Sequence, residues 1–254
     1  MRQAHLAATR NEATDRPGEF LIMDGIYCGQ PPPPAELWTS WNLDPAVLAA
    51  LLGLTALLRR EPAGLAAVAV MFVAFVSPLC ALSSALFSAR VLHHVLLVAV
   101  AAPLLAVVWR GRGRPGPALP FSVSTAVLWI WHVPASYDLA LSNVAVYWLM
   151  QLTLLGSAVW FWRGIFAIED APIDRLVFVV AGFAQMGMLG AILTFAPAPL
   201  YAAHAVAPFL WGLTPLQDQQ LGGLIMWVPT GVPYAAAAIV VARRSWSHLS
   251  SGPA

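Results

Sequence analysis

Residues 91–114 read VLHHVLLVAVAAPLLAVVWRGRGR. From Val95 to Trp109 no residue is charged, and Arg110, Arg112 and Arg114 follow at once. An apolar run of this length, rising 1.5 Å per residue, reaches across most of a bilayer core about 30 Å thick. In lipid the backbone must satisfy its own polar groups, which leaves helices or closed barrels. The run is continuous and not alternating, so it predicts a helix. The arginines behind it predict a cytoplasmic end, because cytoplasmic loops retain positive charge.

Working outward, the same pattern predicts seven spans, at about 44–58, 63–86, 91–109, 119–137, 144–166, 174–196 and 219–242. Arginine follows alternate ones. Arg59 and Arg60 come after the first, Arg163 and Arg175 after the fifth, and Arg243 and Arg244 after the seventh. The intervening connectors hold Arg90. The expected fold is therefore all-α, a polytopic membrane helix bundle of seven transmembrane helices with the N-terminus outside and the C-terminus cytoplasmic. Residues 1–40 form a polar tail without the apolar core of a signal peptide. Residues 41–245 form the membrane domain, and 246–254 a short cytoplasmic tail. Arg2, Arg10 and Arg16 in the outer tail run against the charge pattern, and a translation start at Met23 would remove them.

Composition agrees. The chain is 59% hydrophobic and 10% charged, against about 25% charged in a soluble domain. Its net charge of +1 gives no case for nucleic acid. Trp109, Trp160 and Trp162 at one set of ends, and Trp129, Trp131, Tyr147 and Trp148 at the other, predict interfacial aromatic belts. Pro78, Pro103, Pro229 and Pro233 predict kinks. Gly187 and Ala191 make a small-xxx-small pair suited to close helix packing.

No Gly-rich phosphate loop, metalloprotease helix or nucleophile elbow is present, and the protein is expected not to be an enzyme. Four histidines, His93, His94, His132 and His204, map to the predicted outer side. Imidazole is a common ligand of copper, zinc and iron, although interfacial histidines also hydrogen-bond near headgroups. Neighbouring helical residues point about 100° apart, so His94 with His132 is a better pair than His93 with His94. Asp138 can orient an imidazole or ligate. Met226 is a further sulfur donor, and Met also fills apolar cores. Asp218 is read as a first-turn acid answering its own helix dipole, and Gln151 and Gln185 as cross-helix hydrogen bonders. Cys28 and Cys80 are open to three fates: a disulfide, Cu(I) binding, or neither.

Three blocks resemble the CtaG-type multi-pass assembly factors of bacterial cytochrome c oxidase. They are Leu86–Leu97 running on to Leu105, Trp129–Pro134 with Tyr137–Leu141, and Leu193–Tyr201 with Trp211–Pro229. The resemblance spans roughly residues 40–245. It implies a bacterial inner-membrane protein that supports oxidase maturation, plausibly copper insertion from the periplasmic side. Its partners would be oxidase subunits or other assembly factors and the lipid bilayer. Cu(I), held transiently by His93, His94, His132, Asp138, His204 and Met226, is the implied cofactor. A metal-free scaffold is the alternative, with a haem-binding redox protein or a copper transporter behind it. The family pattern usually reads His-x-x-Gln-His where this chain has Arg90, His93 and His94.

Overall fold

A computed structural model describes residues 27–109, 116–167 and 172–250. Met23, Arg110, Arg112 and Arg114 lie outside the described residues, as do the tail arginines Arg2, Arg10 and Arg16. Every regular element among the described residues is helical. Besides short 3-10 helices at Pro34–Thr39, Ala202–His204 and Ala207–Trp211, these are in order α1 (Pro45–Leu58), α2 (Pro62–Phe75), α3 (Pro78–Ala85), α4 (Phe87–Val95), a π-helix (Leu96–Ala101), α5 (Ala102–Val108), α6 (Ala118–His132), α7 (Pro134–Ser142), α8 (Val144–Phe166), α9 (Pro172–Phe195), α10 (Pro215–Trp227) and α11 (Gly231–Ser250).

Among the described residues, four helical stretches are long and apolar enough to cross a membrane: Phe87–Val108, Val144–Phe166, Ile173–Phe195 and Pro215–Arg243. Two more expected spans are bent pairs. α2 meets α3 at 47°, and α6 meets α7 at 74°. Counting each pair as one span gives six. The first expected span, α1, has 14 residues. At 1.5 Å per residue it covers only about two thirds of a 30 Å core.

Each bend has a local cause. A residue before proline is pushed out of the α region. Ser77, before Pro78, has φ −69° and ψ 169°, and Val133, before Pro134, has φ −66° and ψ 126°. Pro103 acts differently. The helix around it widens into the π-helix Leu96–Ala101. A π register pairs position 103 with the carbonyl of Val98, but proline has no N–H to give. The indole of Trp162 donates to that carbonyl instead, at 2.9 Å. Trp162 is thus fully buried and is not part of an interfacial belt. Tyr147 and Trp131 are likewise core residues, Trp131 donating to Thr153 Oγ1 at 2.9 Å.

α9 approaches α10 closely at Gly190 and Gly223 rather than at Gly187 and Ala191. A Cβ on Gly190 would stand 2.8 Å from the Gly223 carbonyl, and one on Gly223 would stand 2.6 Å from the Gly190 carbonyl. At Gly187 the nearest atom would be Trp227 Cδ1 at 3.5 Å, an ordinary contact.

One end of the bundle is tied together by its connectors. A disulfide joins Cys28 to Cys80, so the described part of the N-terminal segment is stapled to α3. Tyr27 donates to Asp44 Oδ2 at 2.6 Å and stacks on Tyr147 at 4.9 Å between centroids. Trp211 donates to the Pro32 carbonyl at 3.2 Å, and Tyr201 to the His132 carbonyl at 3.0 Å. Leu200 N–H donates to Gln219 Oε1 at 2.7 Å. This is the end that carries His93, His94, His132 and His204.

Candidate functional site

The site begins at a break in the chain. Leu86 is extended, with φ −119° and ψ 131°, and separates α3 from α4. No side chain of the local segment caps α4. Asp218 of α10 does so from across the bundle. Its Oδ2 accepts from Phe87 N–H at 2.6 Å, and its Oδ1 from Ser88 N–H at 3.1 Å and Ser88 O–H at 2.5 Å. Asp218 stands in the first turn of its own helix, as the sequence suggests, and also answers the dipole of α4. α10 has its own capping box in Thr214 and Gln217. On the other side of the break, His204 Nδ1–H donates to the Ala85 carbonyl at 3.3 Å.

α4 places Arg90, His93 and His94 at spacings of three and four, so both histidines lie one turn beyond Arg90. All three side chains are buried. The rings of His93 and His94 are 5.6 Å apart between centroids, and those of His94 and His132 are 6.5 Å apart. The pairing of His94 with His132 thus exists in space, brought about by α4 and the last residue of α6.

His132 has a fixed tautomer. Its Nδ1 lies 2.7 Å from the Leu128 carbonyl, which can only accept, so Nδ1 carries the proton and Nε2 keeps its lone pair. That arrangement is the one a ligating imidazole uses. Gln151 of α8 reaches across, its Nε2 at 3.4 Å from His94 Nε2. Gln185 also bonds between helices, accepting from Trp129 Nε1 at 2.9 Å. Neither ring nitrogen of His93 has a hydrogen-bond partner. Its ring meets Phe75 edge-on at 5.0 Å.

The remaining candidates stand apart. Asp138 accepts from Ala202 N–H at 3.2 Å and Ala203 N–H at 3.1 Å, so it anchors the connector before α10. His204 uses both nitrogens, its Nε2 accepting from the Tyr137 hydroxyl at 2.7 Å. Burial, helped by the positive charge of Arg90, holds the His204 imidazole down at about 3, so it is neutral. Met226 is buried in the main apolar cluster. No three His, Cys, Asp or Glu side chains among the described residues are grouped closely enough to hold a metal ion. Any ion here would rest on the imidazole pair.

Three participants carry weaker sequence signals. Tyr137 is a plain aromatic in sequence and becomes the donor to His204. Tyr147 lies under Arg90, the guanidinium carbon 5.3 Å from the ring centroid. Its hydroxyl is 3.5 Å from Cys28 Sγ, which places the disulfide beside the site. In the connectors, the hydrogen bond from Tyr27 and then the Ala46 N–H hold the Asp44 carboxyl below its usual range.

No curated protein and no solved structure matches the chain. A family profile does, that of the cytochrome c oxidase caa3 assembly factor, over residues 58–248. That stretch holds the end of α1 and everything through α11 except its last two residues, including Arg90, the histidine cluster and the Asp218 cap. The chain belongs to the caa3-type cytochrome c oxidase assembly factor family, and its role is in oxidase assembly.

Proposed function

We propose that the protein assists maturation of a haem-copper oxidase in the bacterial inner membrane by holding Cu(I) briefly on His94 and His132 and passing it on. It catalyses no reaction in this reading. The observation that carries the reading is the His132 tautomer, which leaves Nε2 free to bind while the ring of His94 stands 6.5 Å away. A metal–imidazole bond is about 2 Å long, so an ion held between two imidazole nitrogens suits a centroid separation of this order. Cu(I) accepts few ligands of soft or imidazole type. A pair without a third ligand exchanges its ion readily, as delivery requires. His93 lies next to His94 with two unpartnered nitrogens and can take over as a transient ligand.

The disulfide supports placing this end on the periplasmic side, because disulfides persist in oxidising compartments. The arginines at the opposite ends, Arg59, Arg60, Arg163 and Arg243, support a cytoplasmic location for those ends.

The metal-free scaffold reading has its own support in Arg90. A buried guanidinium one turn from both histidines disfavours a second cation. In that reading the helices dock oxidase subunits or other assembly factors. The two separate in a strain lacking the native gene. Complementation with His94→Ala and His132→Ala is compared with wild type for oxidase activity and for copper in the purified protein. Loss of both in the variants supports copper handling. Full rescue with unchanged copper content excludes it in favour of the scaffold.

A further inference from the structure

Arg90 is fully buried, and none of its Nε, Nη1 and Nη2 atoms has a hydrogen-bond partner. Its recorded contact is the face of Tyr147. A cation–π contact offsets part of the cost of a desolvated guanidinium but leaves its N–H groups without acceptors. Ionisable residues within spans mark functional sites by default. The neighbours are short of partners too. His93, one turn further along α4, has both ring nitrogens unmatched, and Gln151 of α8 has its Oε1 unmatched. Three fully or almost fully buried side chains thus present six polar atoms with no mate in the protein.

We propose that Arg90, with His93 and Tyr147, binds a small oxyanion of the carboxylate type between α4 and α8. The sign follows from the guanidinium, whose charge a neutral water cannot balance. The class follows from shape. A guanidinium presents a planar fork that matches the two oxygens of a carboxylate, whereas a halide meets it at a single point. A neutral imidazole at His93 brings one N–H donor, and Tyr147 brings a hydroxyl that lies beside the Arg90 guanidinium and 3.5 Å from Cys28 Sγ. The Gln151 amide is held only by its 3.4 Å contact with His94 and can turn its NH2 group inward. The anion would also screen the charge of Arg90 from His94. The site itself stands even where His94 and His132 bind no metal.

The test uses the full chain, purified in detergent in sodium fluoride, with sodium formate titrated in at constant ionic strength and thermal unfolding recorded. A ligand of the native state raises the midpoint. Wild type is expected to show a saturable rise with formate that sodium chloride does not reproduce. Arg90→Met should abolish the rise, and Arg90→Lys should increase the half-saturating formate concentration at least tenfold. His94→Ala should keep it, which separates this site from copper handling. Should Arg90→Met fail to fold, saturation-transfer NMR with 13C-formate on wild type and Tyr147→Phe replaces it, with signal expected in the first and weakened in the second. No rise in wild type, an equal rise with chloride, an equal rise in Arg90→Met, or equal NMR signal in Tyr147→Phe overturns the proposal.

Discussion

Asp218 and Ser88 are 130 residues apart, yet one carboxylate oxygen takes both the N–H and the O–H of that serine. The other oxygen takes the Phe87 N–H. This single side chain starts the helix that carries Arg90, His93 and His94. Hydrogen bonds to an ionised acceptor contribute about 1.5–3 kcal/mol each and do not add fully. Asp218→Ala should therefore lower unfolding stability by about 3 kcal/mol, within the usual range for stranding buried donors. Asp218→Asn should lose less, since the amide oxygen still accepts. Thermal or denaturant unfolding in detergent checks both, and an unchanged midpoint in Asp218→Ala would remove the cap from the account.

His204 closes the other side of the same break, and its predicted effect depends on pH. Its folded value, about 3, lies below the usual 6.5. The unfolded state therefore binds the proton first as pH falls. The stability tied to neutral His204 is complete above about pH 6.5 and is lost progressively from there towards pH 3. His204→Phe keeps the ring but strands the Tyr137 hydroxyl and the Ala85 carbonyl, at about 1–3 kcal/mol for each unsatisfied group. It should be less stable at pH 8 and show a shallower decline between pH 6.5 and pH 4. Equilibrium unfolding across that interval reads the slope. Parallel curves for wild type and variant would assign the acid response elsewhere.

The contact of α9 with α10 makes a steric prediction. Gly223→Ala puts a methyl 2.6 Å from the Gly190 carbonyl, which belongs to backbone and cannot swing away. Overpacking of this kind costs about 1–3 kcal/mol. Gly156→Ala is the control, because a Cβ there meets nothing within 4 Å. Midpoints from thermal unfolding should fall for the first and hold or rise for the second. Equal behaviour of the two would show that the helices do not approach as described.

The disulfide makes a prediction about both stability and sidedness. Cys28 and Cys80 close a long loop, and cross-links of this class contribute about 2–4 kcal/mol. Cys28→Ala should lower stability by that amount and loosen Tyr27 from Tyr147. In intact cells the wild-type thiols should resist alkylation until a reductant that cannot cross the membrane is added. Alkylation without reductant would contradict a disulfide formed on the outer side.

Much of this was legible in the sequence, and the rest was hidden for physical reasons. Apolar run length located the long helices α8 and α9 and the stretch α4–α5, and proline marked the bend at Ser77–Pro78. The second apolar run was expected to end at 86, where the break lies, but the groups that stabilise it, Asp218 and His204, are far along the chain and leave no local signal. A first-turn acid looks the same in sequence whether it serves its own helix or another. The register of α9 on α10 was equally hidden, since Gly187 and Gly190 are both small and only packing chooses between them. Tryptophans near predicted ends read as belts, yet Trp162 is drawn inside by the carbonyl that Pro103 leaves free. The adjacency of His94 and His132 followed from helix order. The occupation of Asp138 and His204 by backbone and tyrosine partners did not, because it depends on how the connectors fold over the bundle end.

In the proposed function His94 and His132 hold Cu(I) between them. X-ray absorption at the copper edge of Cu(I)-loaded protein tests it most directly. Two imidazole nitrogen scatterers are expected at about 2 Å, the usual length of a metal–imidazole bond, with loss of that signal in His132→Ala. A spectrum dominated by sulfur, or one unchanged in His132→Ala, would contradict it.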